Sequence, residues 1–260
     1  MRGKPRVLGL LLLPFLAGCE TVPITGRKQL ILLSRGEETS IGTQAYQETL
    51  SKAELVKEGP DYDMVVRIGQ RIAAVSDDPG FQWEFNLIRD DQTVNAFCLP
   101  GGKVAVFTGI LPVTETEAGL ATVMGHEIAH AIARHGNERV SLSLPAEAVG
   151  SILEVGLAKE SSATRDLVMA AFGKTKDVAY LLPYSRTHES EADHIGLIYM
   201  ARAGYDPREA VAFWTRMAAQ SQGERIELLS THPSDETRVA DLERLLPEAL
   251  REYEKGRTSP

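Results

Sequence analysis

Cysteine is scarce in this chain of 260 residues: Cys19 and Cys98 are the only two, too few for a disulfide framework. An excess of basic residues is also missing. The formal charge is −8, which argues against the electropositive footprint of a nucleic-acid binder. No apolar run reaches the ~18–20 residues of a membrane-spanning helix. Val7–Ala17 is short and broken by Gly9 and Pro14, and Val149–Ala158 carries Glu154. There is no internal repeat and no low-complexity tract. With 43% hydrophobic and 25% charged residues, the chain has the composition of a folded protein and is long enough for one large domain or two small ones.

The N-terminus differs from the rest. Its first 18 residues carry Arg2, Lys4 and Arg6 and no acid, leaving 25 basic against 36 acidic residues, a net −11, beyond them. A basic start before a short apolar stretch reads as a secretory signal. Its end, Leu16-Ala17-Gly18-Cys19, resembles the bacterial lipobox. That resemblance implies cleavage before Cys19 and acylation of its sulfur and amino group, with several acyl chains anchoring the protein to a bilayer. Glu20 follows, where inner-membrane retention resembles an Asp. The expectation is therefore an outer-membrane lipoprotein with its domain facing the periplasm. A signal peptide would span residues 1–18 and a lipidated linker 19–30. Cys98 would then have no partner, and burial as a small apolar residue is its simplest role.

Beyond the linker, with Thr21–Arg27 as its turn-rich part, Gln29–Leu33 reads as a strand. Ser34 and Glu37 form a capping-box pattern. Helical patterning covers Glu37–Leu55 and Tyr62–Val75, closed by Asp77-Asp78-Pro79-Gly80. From Phe81 the period becomes strand-like, with Trp83, Phe85 and Leu87 on one face. Val94–Leu99 and Lys103–Thr108 flank Pro100-Gly101-Gly102, a hairpin signal. Beyond Pro112 the chain reads as helical, with breaks at Gly204, Pro207 and Pro233. Few strands followed by many helices predict an α+β fold, mostly helical with a small mixed sheet.

The chemistry concentrates in His126-Glu127-Ile128-Ala129-His130, an HExxH motif inside a proline-free segment that Thr114 and Glu117 are expected to cap. On a helix, residues four apart share a face, so both imidazoles can reach one Zn²⁺. Glu127 stands beside them as a base for water. Gly125 costs about 1 kcal/mol in mid-helix unless close approach requires it. An HExxHxxGxxH pattern fails, since positions 133 and 136 are Ala133 and Gly136; His135 is expected to cap the helix end as a cation.

A carboxylate on a second helix is the remaining source of a third ligand. Glu189 and Asp193 are four apart, whereas Glu191 lies about 200° around the helix from Glu189. Only Glu189 has an acid one turn on. Glu189 therefore reads as the third ligand and Asp193 as the partner of His126. Glu191 reads as a solvated acid or a partner of Arg186, and His188 and His194 as solvent-facing.

Together these motifs resemble the zinc endopeptidase (gluzincin) family of the CAAX prenyl protease, HtpX and BepA. Asn95-Ala96-Phe97-Cys98-Leu99-Pro100-Gly101-Gly102 is similar to its NAF-x-x-PGG segment. Ser185-Arg186 with Glu189 and Asp193, Gly204-Tyr205-Asp206-Pro207, and Thr231-His232-Pro233-Ser234 with Arg238 resemble three further segments. The resemblance covers roughly Val22–Leu250 and is nearest to short single-domain lipoprotein members. It implies a zincin-like metallopeptidase domain at 31–260, one zinc per subunit, and an edge strand along which an extended substrate lies. Arg238 is expected to support the metal surroundings. His232 has three open roles: oxyanion donor, fourth zinc donor holding the enzyme latent, or turn residue. Ser141–Leu182 reads as a lid or as scaffold helices. The expected activity is endopeptidase cleavage of unfolded or misassembled envelope proteins, with outer-membrane assembly proteins as partners and no nucleic acid. The alternative is a chaperone-like assembly factor with little proteolysis.

Overall fold

A computed structural model describes residues 18–77, 80–143, 185–220, 228–229, 232 and 237–258. The first described element is a hairpin. Strand β1 (Gly18–Thr21) pairs antiparallel with β2 (Lys28–Ile31), so that Cys19 faces Leu30 along the ladder. Thr21–Arg27, expected to be a linker, is its turn: Gly26 N donates to Val22 O at 3.0 Å, and Gly26 adopts φ +70° at no steric cost. Val22 is buried in the main core.

The expected capping box forms at the start of α1 (Arg35–Ser51): Glu37 N donates to Ser34 Oγ, and Ser34 N donates to Glu37 Oε2 at 2.7 Å. After the short β3 (Leu55–Val56), α2 (Pro60–Ala73) buries Val65, Ile68, Gly69 and Ile72, the spacing of one helical face. Strands β4 (Glu84–Ile88), β5 (Ala96–Leu99) and β6 (Lys103–Phe107) complete a four-stranded sheet in the order β3-β4-β6-β5. The sheet is mixed, because β4 runs parallel to β6 while both outer pairings are antiparallel. The predicted hairpin joins β5 to β6, with Gly101 at φ +88° and Gly102 at φ +78°. This leaves β5 at an edge of the sheet among the described residues.

After one 3₁₀ turn, α3 (Leu111–Thr114) leads into α4 (Glu117–Ile132). The cap of α4 is Thr116, whose Oγ1 accepts from Gly119 N at 2.9 Å, not Thr114 as expected. Glu115 at φ +59° breaks the backbone between the two helices, and Thr114 Oγ1 donates back to Leu111 O within α3. Helix α4 is buried all round, packed against β5, α2 and two later helices. Next come α5 (His135–Ser143), α6 (Arg186–Arg202), α7 (Arg208–Gln220) and α8 (Arg238–Thr258). Nearly all of the lid-or-scaffold segment 141–182 lies outside the described residues, as do 1–17, Thr231 and Pro233.

Helices α4 and α6 meet through two glycines. A Cβ on Gly125 would stand 2.9 Å from Gly196 O, and one on Gly196 would stand 2.8 Å from Gly125 C and His126 N. Close approach is therefore what the mid-helix Gly125 supplies. It brings the HExxH helix against the helix that carries Glu189.

Candidate metal centre

His126 and His130, one turn apart on α4, direct their Nε2 atoms to within 3.1 Å of each other. From α6, Glu189 Oε2 lies 3.4 Å from His126 Nε2, and Oε1 lies 3.5 Å from His130 Nε2. His232 enters from the chain just before α8. Its Nδ1 is 3.0 Å from Glu189 Oε1 and 3.3 Å from His126 Nε2. All four side chains are buried, and one donor atom from each lies within 4.8 Å of all the others. Four ligands at 2.0–2.1 Å around a tetrahedral ion stand about 3.3 Å apart, so this nitrogen and oxygen set has the dimensions of a zinc site. Glu189 Oε2 makes no hydrogen bond among the described residues, which leaves a buried lone pair for an ion. The residues fit zinc.

The electrostatics follow the same geometry. Burial disfavours charge on Glu189, but His232 and His126 outweigh it and hold its carboxyl well below the usual range. For His126, burial opposes protonation, yet hydrogen bonds to Asp193 and Glu189 raise its pKa to about 9 in the metal-free chain. Burial and the neighbouring histidines push His130 far below 6.5. Glu127, one residue from His126, is pushed up by burial. Its Oε1 has no hydrogen-bond partner among the described residues and lies 3.4 Å from His232 Nε2.

Asp193 stands where the helix geometry put it, with Oδ1 2.9 Å from His126 Nδ1. Arg238 Nη2 donates to the same oxygen at 2.7 Å, and its guanidinium lies over Trp214, 3.2 Å from the ring centroid. Trp214 went unnoticed in the sequence because nothing local links α7 to Arg238. Cys98 is buried, and burial raises its thiol pKa well above the ordinary value.

Four expectations require correction. His135 does not cap α4; the chain turns at Arg134, φ +59°, and His135 opens α5 fully buried, with Nδ1 2.8 Å from His130 Nδ1. Burial lowers its pKa to about 4 despite Glu191. Glu191 is buried rather than solvated: His135 Nε2 lies 3.0 Å from its Oε2, and Arg27 Nε donates to that oxygen at 2.7 Å. His188 is also buried, with Nε2 2.8 Å from Glu138 Oε2. His194 is only partly exposed and meets Glu248 Oε2 at 3.0 Å. The error has one cause. The helical wheel identifies the face toward zinc, but α6 is covered on other faces by α5, α8 and the β1–β2 turn.

Residues 62–246 match the model of peptidase family M48. Among curated relatives, the mitochondrial metalloendopeptidase OMA1 of Schizosaccharomyces pombe is 41% identical over 235 residues, covering 88% of this chain and 67% of that protein. The mitochondrial metalloendopeptidase OMA1 of Homo sapiens is 32% identical over 247 residues, 89% of this chain and 47% of its own length. The beta-barrel assembly-enhancing protease of Escherichia coli is 28% identical over 233 residues, 87% and 47% respectively. The chain thus spans about half the length of these last two relatives. These matches overturn the expected outer-membrane address and the kinship to short bacterial lipoproteins, since the relatives at 32–41% identity are mitochondrial by name. A basic, acid-free N-terminus is common to secretory and mitochondrial targeting segments, so Arg2, Lys4 and Arg6 did not discriminate between them.

Proposed function

The chain belongs to peptidase family M48 and is a zinc metalloendopeptidase, and from that premise we propose that it cleaves unfolded or misassembled proteins in a quality-control role, with His126, His130 and Glu189 holding zinc and Glu127 as the base. The observation that carries this reading is the placement of Glu127 on the same buried turn as the two histidines, with Glu189 delivered by a second helix. When bound, zinc supplies Lewis acidity toward the scissile carbonyl and lowers the pKa of water. Glu127, pushed up by burial, is suited to accept a proton from that water and return it to the leaving amine. Asp193 orients His126, and Arg238 neutralises Asp193.

His232 supplies the fourth donor in this conformation, which favours the latent role among its three. A catalytic zinc site keeps one position open, so turnover requires His232 to withdraw. The edge position of β5 beside α4 supports binding of an extended substrate by strand addition. Such binding reads mainly backbone and suits unfolded segments.

The test compares wild type, Glu127→Gln and His232→Ala for zinc content and casein cleavage. Glu127→Gln is expected to keep zinc and lose cleavage by at least about a hundredfold, whereas His232→Ala alters turnover or zinc affinity. Cleavage unchanged in Glu127→Gln would refute Glu127 as the base, whereas zinc-loaded wild type that binds casein without cleaving it would support the chaperone-like assembly factor.

A further inference from the structure

Resting on the zinc reading above, a second set of residues meets the other histidine of the motif, His130, as Asp193 meets His126. His126 is oriented by a carboxylate directly. His130 meets another histidine instead, His135, Nδ1 to Nδ1 at 2.8 Å. At that distance only one of the two nitrogens carries a proton, because two N–H groups cannot face each other.

The surroundings decide which one. Both oxygens of Glu191 are engaged by donors: Thr25 Oγ1 donates to Oε1, and Arg27 Nε donates to Oε2 at 2.7 Å. An ionised carboxylate only accepts, so His135 Nε2, 3.0 Å from Oε2, carries the proton there. In the neutral ring, His135 Nδ1 is then a lone pair, and it accepts from His130 Nδ1–H. His130 is left with its lone pair on Nε2, the atom that faces His126 and Glu189. The opposite assignment would place a protonated Glu191 among two donors and a proton on His130 Nε2, where an ion must bind.

We propose that Glu191 and His135 are positioning residues that lock His130 in its zinc-binding tautomer, and that the β1–β2 turn, through Thr25 and Arg27, clamps this relay. The clamp has further fastenings. Arg27 donates through Nη1 and Nη2 to Glu138 at 2.8 and 2.6 Å, Glu138 meets His188, and the His188 ring stacks on His135 with centroids 4.6 Å apart. A turn more than 100 residues from His130 in sequence thereby fixes the proton on a metal ligand.

The test uses the full chain loaded with zinc and labelled with ¹⁵N-histidine. Histidine side-chain NMR is expected to show His130 protonated at Nδ1 and bound through Nε2, with His135 protonated at Nε2. A proton on His135 Nδ1 or on His130 Nε2 overturns the proposal without any variant. Zinc affinity is then measured by chelator competition for His135→Leu, which removes the acceptor, and His135→Asn, whose Oδ1 takes the place of Nδ1. The expected loss is about 10–100-fold for Leu, with Asn recovering most of it. Equal affinity in His135→Leu and wild type, or no recovery by Asn, overturns the relay while leaving the zinc reading intact. Failure of the wild type to bind zinc overturns the reading on which the relay rests. If His135→Leu does not fold, the wild-type spectrum decides.

Discussion

Replacing Gly196 by Ala tests whether the zinc site depends on the close crossing of α4 and α6. The added Cβ would stand 2.8 Å from Gly125 C and His126 N and 3.0 Å from Gly125 O, all backbone atoms. Ordinary carbon contacts lie near 3.5–4.0 Å, so relief requires the helices to part by ~1 Å. Overpacking of this kind costs about 1–3 kcal/mol, while removing a mid-helix glycine returns ~1 kcal/mol of helix propensity. The net destabilisation is then about 0–2 kcal/mol, or a melting shift of at most ~8 °C for the metal-free protein. Zinc binding should suffer more. His126 N is one of the clashing atoms, and Glu189 is carried by the helix that must move. Metal–ligand distances tolerate only ~0.2 Å, and a 1 Å misplacement costs about a hundredfold in activity. The assays are thermal melting of the metal-free chain, chelator-competition zinc titration and casein cleavage. Gly36→Ala, whose Cβ would meet only Ser34 Oγ at 4.0 Å, serves as the control and should change none of them appreciably. Zinc affinity and cleavage within threefold of wild type in Gly196→Ala would refute the reasoning.

Thr116→Ala removes the cap of the HExxH helix and should cost about 1 kcal/mol in denaturant unfolding; no loss would return the cap to Thr114. Arg238→Leu removes one of the two partners of the buried Asp193 carboxylate and leaves it to His126 Nδ1, so the metal-free protein should lose about 1.5–3 kcal/mol, with a loss below ~0.5 kcal/mol counting against the pair. In the metal-free chain the buried histidines should also contribute pH-dependent stability of two opposite signs. His135 is neutral in the folded state down to about 4, and His188 is lowered as well. At these two side chains the unfolded state therefore binds more protons below about pH 6.5, and their contribution to stability is lost as pH drops toward 4. His126 acts in the other direction, its folded pKa of about 9 giving stability that is present below 6.5 and lost as pH rises through 9. Zinc displaces the His126 proton, so saturating zinc should abolish the alkaline loss; its persistence in unfolding titrations would show that His126 is not a ligand.

What was legible in the sequence was local. His126 and His130, Glu189 and Asp193, Ser34 and Glu37 each lie within one helical turn, so a regular period places them without knowledge of the fold. The hairpin at Pro100-Gly101-Gly102 was equally plain, because two positive φ angles demand glycine there. The Thr114 cap was misplaced by two residues for a reason of the same scale: Gly119 tolerates the approach of Thr114 O, within 2.0 Å of where a Cβ would stand, and so lets the backbone break at Glu115.

What stayed hidden depends on pairs far apart in the chain. Arg27 and Glu138 are separated by 111 residues and Arg27 and Glu191 by 164. In isolation each reads as an ordinary surface charge, and burying any one alone would be prohibitive. They are tolerable only together, since each hydrogen bond offsets part of another group's desolvation. Charge alone therefore misled the reading of Glu191, His135 and His188. A cluster of buried acids and neutral histidines beside a metal site is stable only when every member has its partner, so the N-terminal turn, which the sequence presents as a linker, belongs to the catalytic domain's core.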